Sequence, residues 1–214
     1  MEEPTEELKL IFVHGTGVGA TSIINTLIDV PFELIGTSNN YYSLVEYNIK
    51  YGNKKYILNL WDTATNERFK TLNKLFIKGA NIVIFIYDIT RKETFNQILE
   101  WIQDVKNILG TKIICGILGN KMDLLYNQEV KEEEVEKLAK SNKMKFKSVS
   151  CLKEPKNIKD FIEELFQDYL FYINNNIDIT GKLENIDIKS KNEDFYLNKL
   201  NINYIQNLTK YYYY

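Results

Sequence analysis

Apolar positions recur along this chain in two rhythms. Residues 82–87 form a continuous apolar run, the pattern of a strand buried on both faces of a parallel sheet. Residues 8–13, 112–118 and 146–149 read as further strands. In residues 44–51, Val45, Tyr47, Ile49 and Tyr51 alternate with polar neighbours. A second run follows over 56–61, and Gly52-Asn53 joins the two as a hairpin turn. Between the strands the spacing becomes helical. Residues 21–28 form a first helix, and a second carries Phe95, Ile98, Leu99, Ile102 and Val105 on one face. Thr90-Arg91-Lys92-Glu93 has the form of a capping box that opens this second helix. Residues 129–141 are a charged helix with Val130, Val135 and Leu138 inward, and residues 158–170 a last amphipathic one. Residues 31–42 and 62–71 show no clear period and read as loops. Strands alternating with helices predict an α/β three-layer sandwich on a mostly parallel six-stranded sheet, the hairpin adding one antiparallel strand.

Composition narrows this picture without redirecting it. The 214 residues suffice for one sizeable core and are short for two full domains. We expect an acidic N-terminal extension over 1–7, one folded domain over 8–172, and an Asn-rich tail over 173–214, disordered or partly helical. In the tail, Leu197, Leu200, Tyr204, Ile205 and Leu208 follow a helical stripe. A net charge of −2 gives no basic surface for nucleic acid. Cys115 and Cys151 lack metal-ligand spacing and suit a reducing compartment. No signal peptide, myristoylation glycine or bilayer-spanning run is seen, so the expectation is a cytoplasmic monomer.

In open α/β sheets ligands bind beyond the carboxyl ends of the strands. Four polar stretches fall there: residues 15–22, residues 62–66, Asn120-Lys121-Met122-Asp123, and Ser150-Cys151. The first is a glycine-rich turn between a strand and a helix, whose backbone N–H groups and helix N-terminus suit phosphate. Against the pattern G-x-x-x-x-G-K-[ST], Gly19 and Thr21 hold their places, whereas His14 replaces the first glycine and Ala20 the lysine. Alone, such a turn is as easily a ligand-free connection. Asn120-Lys121-Met122-Asp123 selects the base, because the Asp123 carboxylate can accept from two adjacent N–H donors on one edge. Guanine offers that pair and adenine does not. An isolated tetrapeptide of this kind can also be a capping loop. Its position after a buried strand, in step with the other three loops, favours the functional reading.

At these residues the chain resembles the Ras superfamily of small GTPases, and the Rab branch in particular. The resemblance spans residues 8–170. It is carried by Lys9-Leu10-Ile11-Phe12-Val13 and the loop after it, by Leu60-Trp61-Asp62-Thr63-Ala64 with Glu67-Arg68-Phe69, by Phe85-Ile86-Tyr87-Asp88-Ile89-Thr90 with Trp101, and by the guanine motif. It implies the P-loop GTPase fold and binding of GTP or GDP with Mg²⁺. By the resemblance Gly15, Thr16, Gly17, Val18 and Gly19 wrap the β-phosphate, with Ala20 in the same loop. The Ser22 N–H meets the α-phosphate, the Thr21 hydroxyl ligates Mg²⁺, and Asp62 binds the same ion, directly or through water. Asp123 reads guanine, Lys121 lays its stem over the base, Asn120 braces the phosphate loop, and Ser150 and Cys151 approach the guanine oxygen. Leu152 stands where the family has Lys. Trp61 and Phe76 occupy positions of an effector-binding patch, and core packing is an equal reading of Trp61. Leu44 leaves that patch without its third aromatic. Rab proteins end in prenylated cysteines, and this sequence has none there, so no prenyl anchor is expected and membrane association would come through protein partners.

The departures cluster on the phosphate side. Without the lysine at Ala20 one charge-assisted hydrogen bond is lost, worth roughly 1.5–3 kcal/mol or about 10- to 150-fold in affinity. Thr65 replaces a glycine of the second switch, and Asn66 stands where a glutamine orients the attacking water, one methylene shorter. Thr37 and Ser38 are both candidates for the first-switch threonine. His14, the sole histidine, is read as tolerating the turn rather than replacing the lysine's charge. The expected function is a divergent Rab-like regulator of vesicle traffic or signalling with weak or absent GTP hydrolysis, Asn66 being the one catalytic candidate. The rival is a pseudo-GTPase interaction module, and an ATP-using P-loop enzyme comes third, disfavoured by Asp123.

Overall fold

A computed structural model of the chain describes residues 5–30, 45–64, 74–110 and 113–175. The expectations for Thr37, Ser38, Leu44, Thr65, Asn66, Glu67, Arg68, Phe69 and the tail lie outside these residues. The described elements run β1 (Thr5–His14), α1 (Ala20–Leu27), β2 (Val45–Tyr51), β3 (Lys54–Ala64), α2 (Lys74–Ile77), β4 (Ile82–Asp88), α3 (Lys92–Leu109), β5 (Ile114–Asn120), α4 (Glu132–Asn142), β6 (Lys145–Ser148) and α5 (Pro155–Asn175). A 3₁₀ turn, Met122–Asn127, follows β5. The strands form one six-stranded sheet in the order β2-β3-β1-β4-β5-β6. Only β2 runs antiparallel, against β3. The expected fold class is therefore the observed one.

Period-two alternation divides the buried strands between two cores. In β4, Ile82, Ile84 and Ile86 join the cluster formed with α1 and α5. Val83, Phe85 and Tyr87 point the other way, into the cluster with α3 and α4. Every residue of β4 and β5 is buried, so the strands read as apolar runs because both faces are covered. Gly116 in β5 lets α5 come close: a Cβ there would lie 2.7 Å from Leu165 Cδ1 and 2.9 Å from Phe161 Cζ. The hairpin turns at Gly52, whose φ of 60° at the first of two loop residues is a conformation that favours glycine.

Several boundaries differ from the sequence reading, each because a tertiary contact overrides local pattern. β1 begins at Thr5, inside the expected acidic extension, because residues 5–7 pair in register with Lys55, Tyr56 and Ile57. Glu6 and Glu7 there meet Lys54 and Asn59 across the strands. β3 continues to Ala64 rather than stopping at Trp61, its last residue opposite His14. β5 likewise runs on to Asn120, paired with Asp88. The capping box does not form. Thr90 gives its hydroxyl to the Asp88 carboxylate at 2.7 Å, and the Lys92 N–H goes to Glu129 Oε2 at 2.8 Å. The side chain of Arg91, the residue before α3, makes no cap to the helix, and Glu129 from outside it does. Glu129 and Val130 both donate N–H to Ile89 O, which holds them out of α4 until Glu132. The last helix begins earlier than expected, with Pro155 at its first position, where a missing N–H costs nothing. It also continues past the expected domain end at 172, through Asn175. No helix of the described residues is long and apolar enough to cross a membrane.

Candidate nucleotide-binding site

The carboxyl ends of β1, β3, β4 and β5 converge on one turn. After His14 the chain leaves the sheet and enters α1 at Ala20, and Gly17 and Gly19 take φ of 73° and 87°, the left-handed region that favours glycine. Gly19 is also tight: a Cβ there would stand 2.5 Å from Asn120 Nδ2. Thr16, Gly17 and Thr21 are exposed, whereas Val18 and Ala20 are buried. A glycine-rich turn feeding a helix N-terminus presents backbone N–H groups to an anion. Ala20 adds no charge to it.

Residues far along the sequence hold this turn. Asn120, 3% exposed at the end of β5, donates Nδ2–H to Val18 O at 2.9 Å. Lys121 donates to Gly17 O at 3.0 Å and pairs with Asp88 Oδ2 at 2.6 Å. Its backbone sits at φ 72°, ψ 35°, strained for a residue with a Cβ and maintained by those two anchors. Arg91 donates Nη2–H to Thr16 O at 2.9 Å, with its Nε on Asp88 Oδ2 at 3.1 Å. Asp88 itself is 1% exposed and also accepts the Thr90 hydroxyl and N–H on Oδ1. Burial raises its carboxyl, but hydrogen bonds from Lys121 and from the Thr90 hydroxyl and N–H outweigh burial and hold it below its ordinary value.

Beyond β5, Asp123 lies in the 3₁₀ turn and accepts the Ser150 hydroxyl at 2.6 Å, while Lys153 N–H reaches Ser150 Oγ at 3.1 Å. Cys151 Sγ lies 3.5 Å from Asn120 Oδ1, which links this loop to the brace on Val18. Burial pushes the Cys151 thiol up to about 11, so it is a neutral donor at neutral pH. Asn120 thus links Val18 to Cys151, Lys121 and Arg91 meet on Asp88 and hold Gly17 and Thr16, and the Asp123–Ser150 pair lies next to both along the chain. Leu152 is 52% exposed beside it.

This architecture has a match. Residues 9–170 fit the sequence model described as the Ras family. The chain belongs to the Ras family. Members of this small-GTPase family bind guanine nucleotides together with Mg²⁺. The nucleotide fits the residues present: glycines in the needed conformation, N–H groups on a helix N-terminus, and a carboxylate on the base side.

Mg²⁺ falls to Thr21 and Asp62. The expected ligands Thr21 and Asp62 are neighbours, with Thr21 Oγ1 donating to Asp62 Oδ2 at 3.3 Å, and hard oxygen donors are what this ion takes. The other carboxylate oxygen, Oδ1, is held by His14 Nε2 at 2.6 Å. Each oxygen of Asp62 thus accepts one hydrogen bond and keeps a further lone pair, as does the Thr21 hydroxyl, so these two residues would hold the ion, directly or through water. Among the described residues no group of three or more His, Cys, Asp or Glu side chains is placed to hold a metal.

Sequence reasoning missed three members of the site. The signal for Asp88 was present: a carboxylate ending a fully apolar strand, at the edge where ligands bind. Arg91, three residues on, follows from it. His14 was treated as a passive occupant of a glycine position, but its ring is buried and engaged at both nitrogens.

Proposed function

We propose that this Ras-family chain is a Rab-like guanine-nucleotide-binding regulator of vesicle traffic or signalling, with weak or absent GTP hydrolysis. The observation that carries the reading is the bracing of the phosphate loop by the base-reading stretch, across 102 residues at Asn120–Val18 and 104 at Lys121–Gly17. Such bracing couples recognition at one end of a nucleotide to grip at the other. The backbone N–H groups of residues 15–19 would surround the phosphates, the Ser22 N–H would add to them, and Asp123 would accept from the guanine edge. A base with the wrong edge leaves the carboxylate without the two N–H donors it would accept from, which is how such a site discriminates. Weak hydrolysis follows from charge. Ala20 leaves the interior of the loop without an ammonium, and phosphoryl transfer rests on positioned positive charge.

The partner surface in this reading is the pair Trp61 and Phe76. Their ring centroids lie 6.2 Å apart, Phe76 is 46% exposed, and Lys9 Nζ sits 4.6 Å over the Trp61 ring. An exposed Phe beside a partly buried Trp, rimmed by a cation, suits a protein partner. A second reading, a pseudo-GTPase module without regulated nucleotide binding, is favoured by one observation, the His14–Asp62 pair.

Identifying what freshly purified protein releases on denaturation separates the two. Guanine nucleotide near one per chain supports regulated binding. No nucleotide, and no uptake at micromolar GDP, supports the module. Release of adenine nucleotide instead would overturn both.

A further inference from the structure

We propose that Arg91 is a positioning residue of the phosphate loop. Its guanidinium, set against the outside of residues 16 and 17, supplies the positive charge that Ala20 does not bring from within. The inference rests on the nucleotide-binding reading above.

The backbone delivers Arg91 to this place. It ends the turn that follows β4, its N–H donated to Asp88 O at 3.1 Å, and it precedes α3 in an extended conformation, φ −139° and ψ 101°. The side chain makes no cap to that helix and reaches the loop instead. There its planar fork is used at two ends. Nε donates to Asp88 Oδ2 at 3.1 Å, and Nη2 donates to Thr16 O at 2.9 Å, 75 residues away in sequence. A Cβ at Gly17 would stand 3.5 Å from Nη2 and 3.9 Å from Nη1, so the guanidinium lies directly against that glycine.

The charge gathered beside the loop is positive. Asp88 brings one negative charge, and Lys121 and Arg91 bring two positive ones to its Oδ2. Glu93 Oε1 stands 3.9 Å from Nη1, but its side chain is 64% exposed and water screens it. A guanidinium cannot be deprotonated in a protein, so this charge is permanent. Of the two cations, Lys121 belongs to the base-reading stretch. Arg91 has no part there, and beyond its own turn it reaches the phosphate loop. Charge and clamp are separable at this position, because lysine keeps the first and loses the fork, whereas glutamine keeps an N–H donor and loses the charge.

The test uses the full-length chain and competition against a fluorescent GDP. It compares GDP with guanosine, which carries base and ribose without phosphate. Arg91→Gln should bind GDP about tenfold more weakly, the difference between a charged and a neutral donor. Guanosine affinity should stay within about twofold of the unaltered chain, and Arg91→Lys should recover most of the GDP loss. Raising KCl from about 20 mM to about 0.5 M should shrink the gap between the unaltered chain and Arg91→Gln, since salt screens charge and leaves shape alone. GDP affinity of Arg91→Gln within about twofold of the unaltered chain overturns the proposal. So does a lysine variant no better than glutamine, a guanosine loss equal to the GDP loss, or a gap indifferent to salt, each the mark of a clamp without a charge effect. If the unaltered chain takes up neither GDP nor guanosine, the nucleotide-binding reading falls on its own account. Pyrophosphate titrated against the Gly17 and Val18 amide signals then decides the role of Arg91. Shifts in the unaltered chain that vanish in Arg91→Gln sustain it, and equal behaviour of the two chains overturns it.

Discussion

Replacing Asp88 by Asn tests the electrostatic core of the site. The wild-type carboxylate, 1% exposed, accepts from Lys121 at 2.6 Å, from Arg91 Nε at 3.1 Å, and from the Thr90 hydroxyl and N–H at 2.7 and 2.9 Å. An amide has one oxygen to offer. Whichever way it turns, its NH₂ faces either the two cations or the two Thr90 donors. Removing one partner of a buried ion pair costs about 3–5 kcal/mol. Here Lys121 and Arg91 are 32% and 36% exposed and can recover hydration, so the cost should fall to about 2–3 kcal/mol. With a urea slope of about 2 kcal/mol per molar, the unfolding midpoint should drop by about 1 M.

The same substitution has a pH signature. The Asp88 carboxyl is held below its ordinary value of 3.8, so its contribution is fully present above that value and is lost as pH falls through the lower folded-state value. The stability gap between wild type and Asp88→Asn should be constant near neutrality and shrink only below about pH 4. A gap under about 0.5 kcal/mol at pH 7, or one that persists undiminished in acid, would refute the argument.

Three further perturbations probe other parts of the site. Asp123→Asn replaces an acceptor-only carboxylate by a donor–acceptor group, and competition against fluorescent GDP should show guanine affinity falling by about 10- to 150-fold. Gly19→Ala would bring a Cβ to 2.5 Å from Asn120 Nδ2 at φ 87°, whereas the same change at Gly79, φ 76°, meets nothing within 4 Å. Both pay the backbone strain, so thermal unfolding should show Gly19→Ala less stable than Gly79→Ala by about 1–3 kcal/mol, the steric excess alone. Burial pushes the Cys115 and Cys151 thiols up to about 12 and about 11. Iodoacetamide at pH 8 should therefore label native protein far more slowly than urea-unfolded protein. For Cys151, stability present below its ordinary value of 9.0 should be lost as pH rises towards 11.

What was legible in the sequence was what one segment decides by itself. Residues 82–87 are apolar at every position because both faces are covered, and the run alone says so. The place of Asn120-Lys121-Met122-Asp123 at the end of a buried strand is legible for a similar reason, being local. Boundaries were less so, since they depend on partners. Thr90 and Glu93 have the spacing of a capping box, yet a buried carboxylate two residues upstream outbids the helix for the Thr90 hydroxyl. Residues 129–131 are charged and helix-compatible, yet Ile89 O takes the Glu129 and Val130 N–H groups and Glu129 caps a different helix. Side-chain pairings across 48 and 75 residues, His14 with Asp62 and Arg91 with Thr16, leave no periodic trace. The sheet register creates them, and register is not written in either segment alone.

The placement of positive charge explains how a loop without its lysine still suits an anion. Arg91 donates to Thr16 O and Lys121 to Gly17 O, the carbonyls of two consecutive peptide units. The peptide group is planar and trans, so the N–H of the next residue points away from its carbonyl. A cation on the Thr16 carbonyl therefore strengthens the Gly17 N–H as a donor, and one on the Gly17 carbonyl strengthens the Val18 N–H, because donors and acceptors in one chain polarise each other. Asp88 fixes both cations at the outer side of the loop and is itself kept ionised by them. Charge that a lysine would deliver by direct contact is here transmitted through the backbone. Fixed peptide dipoles stabilise charge only where they are aimed, and they bring no ammonium to the phosphate oxygens on which charge develops during transfer. A protein arranged in this way should hold its nucleotide more readily than it hydrolyses it.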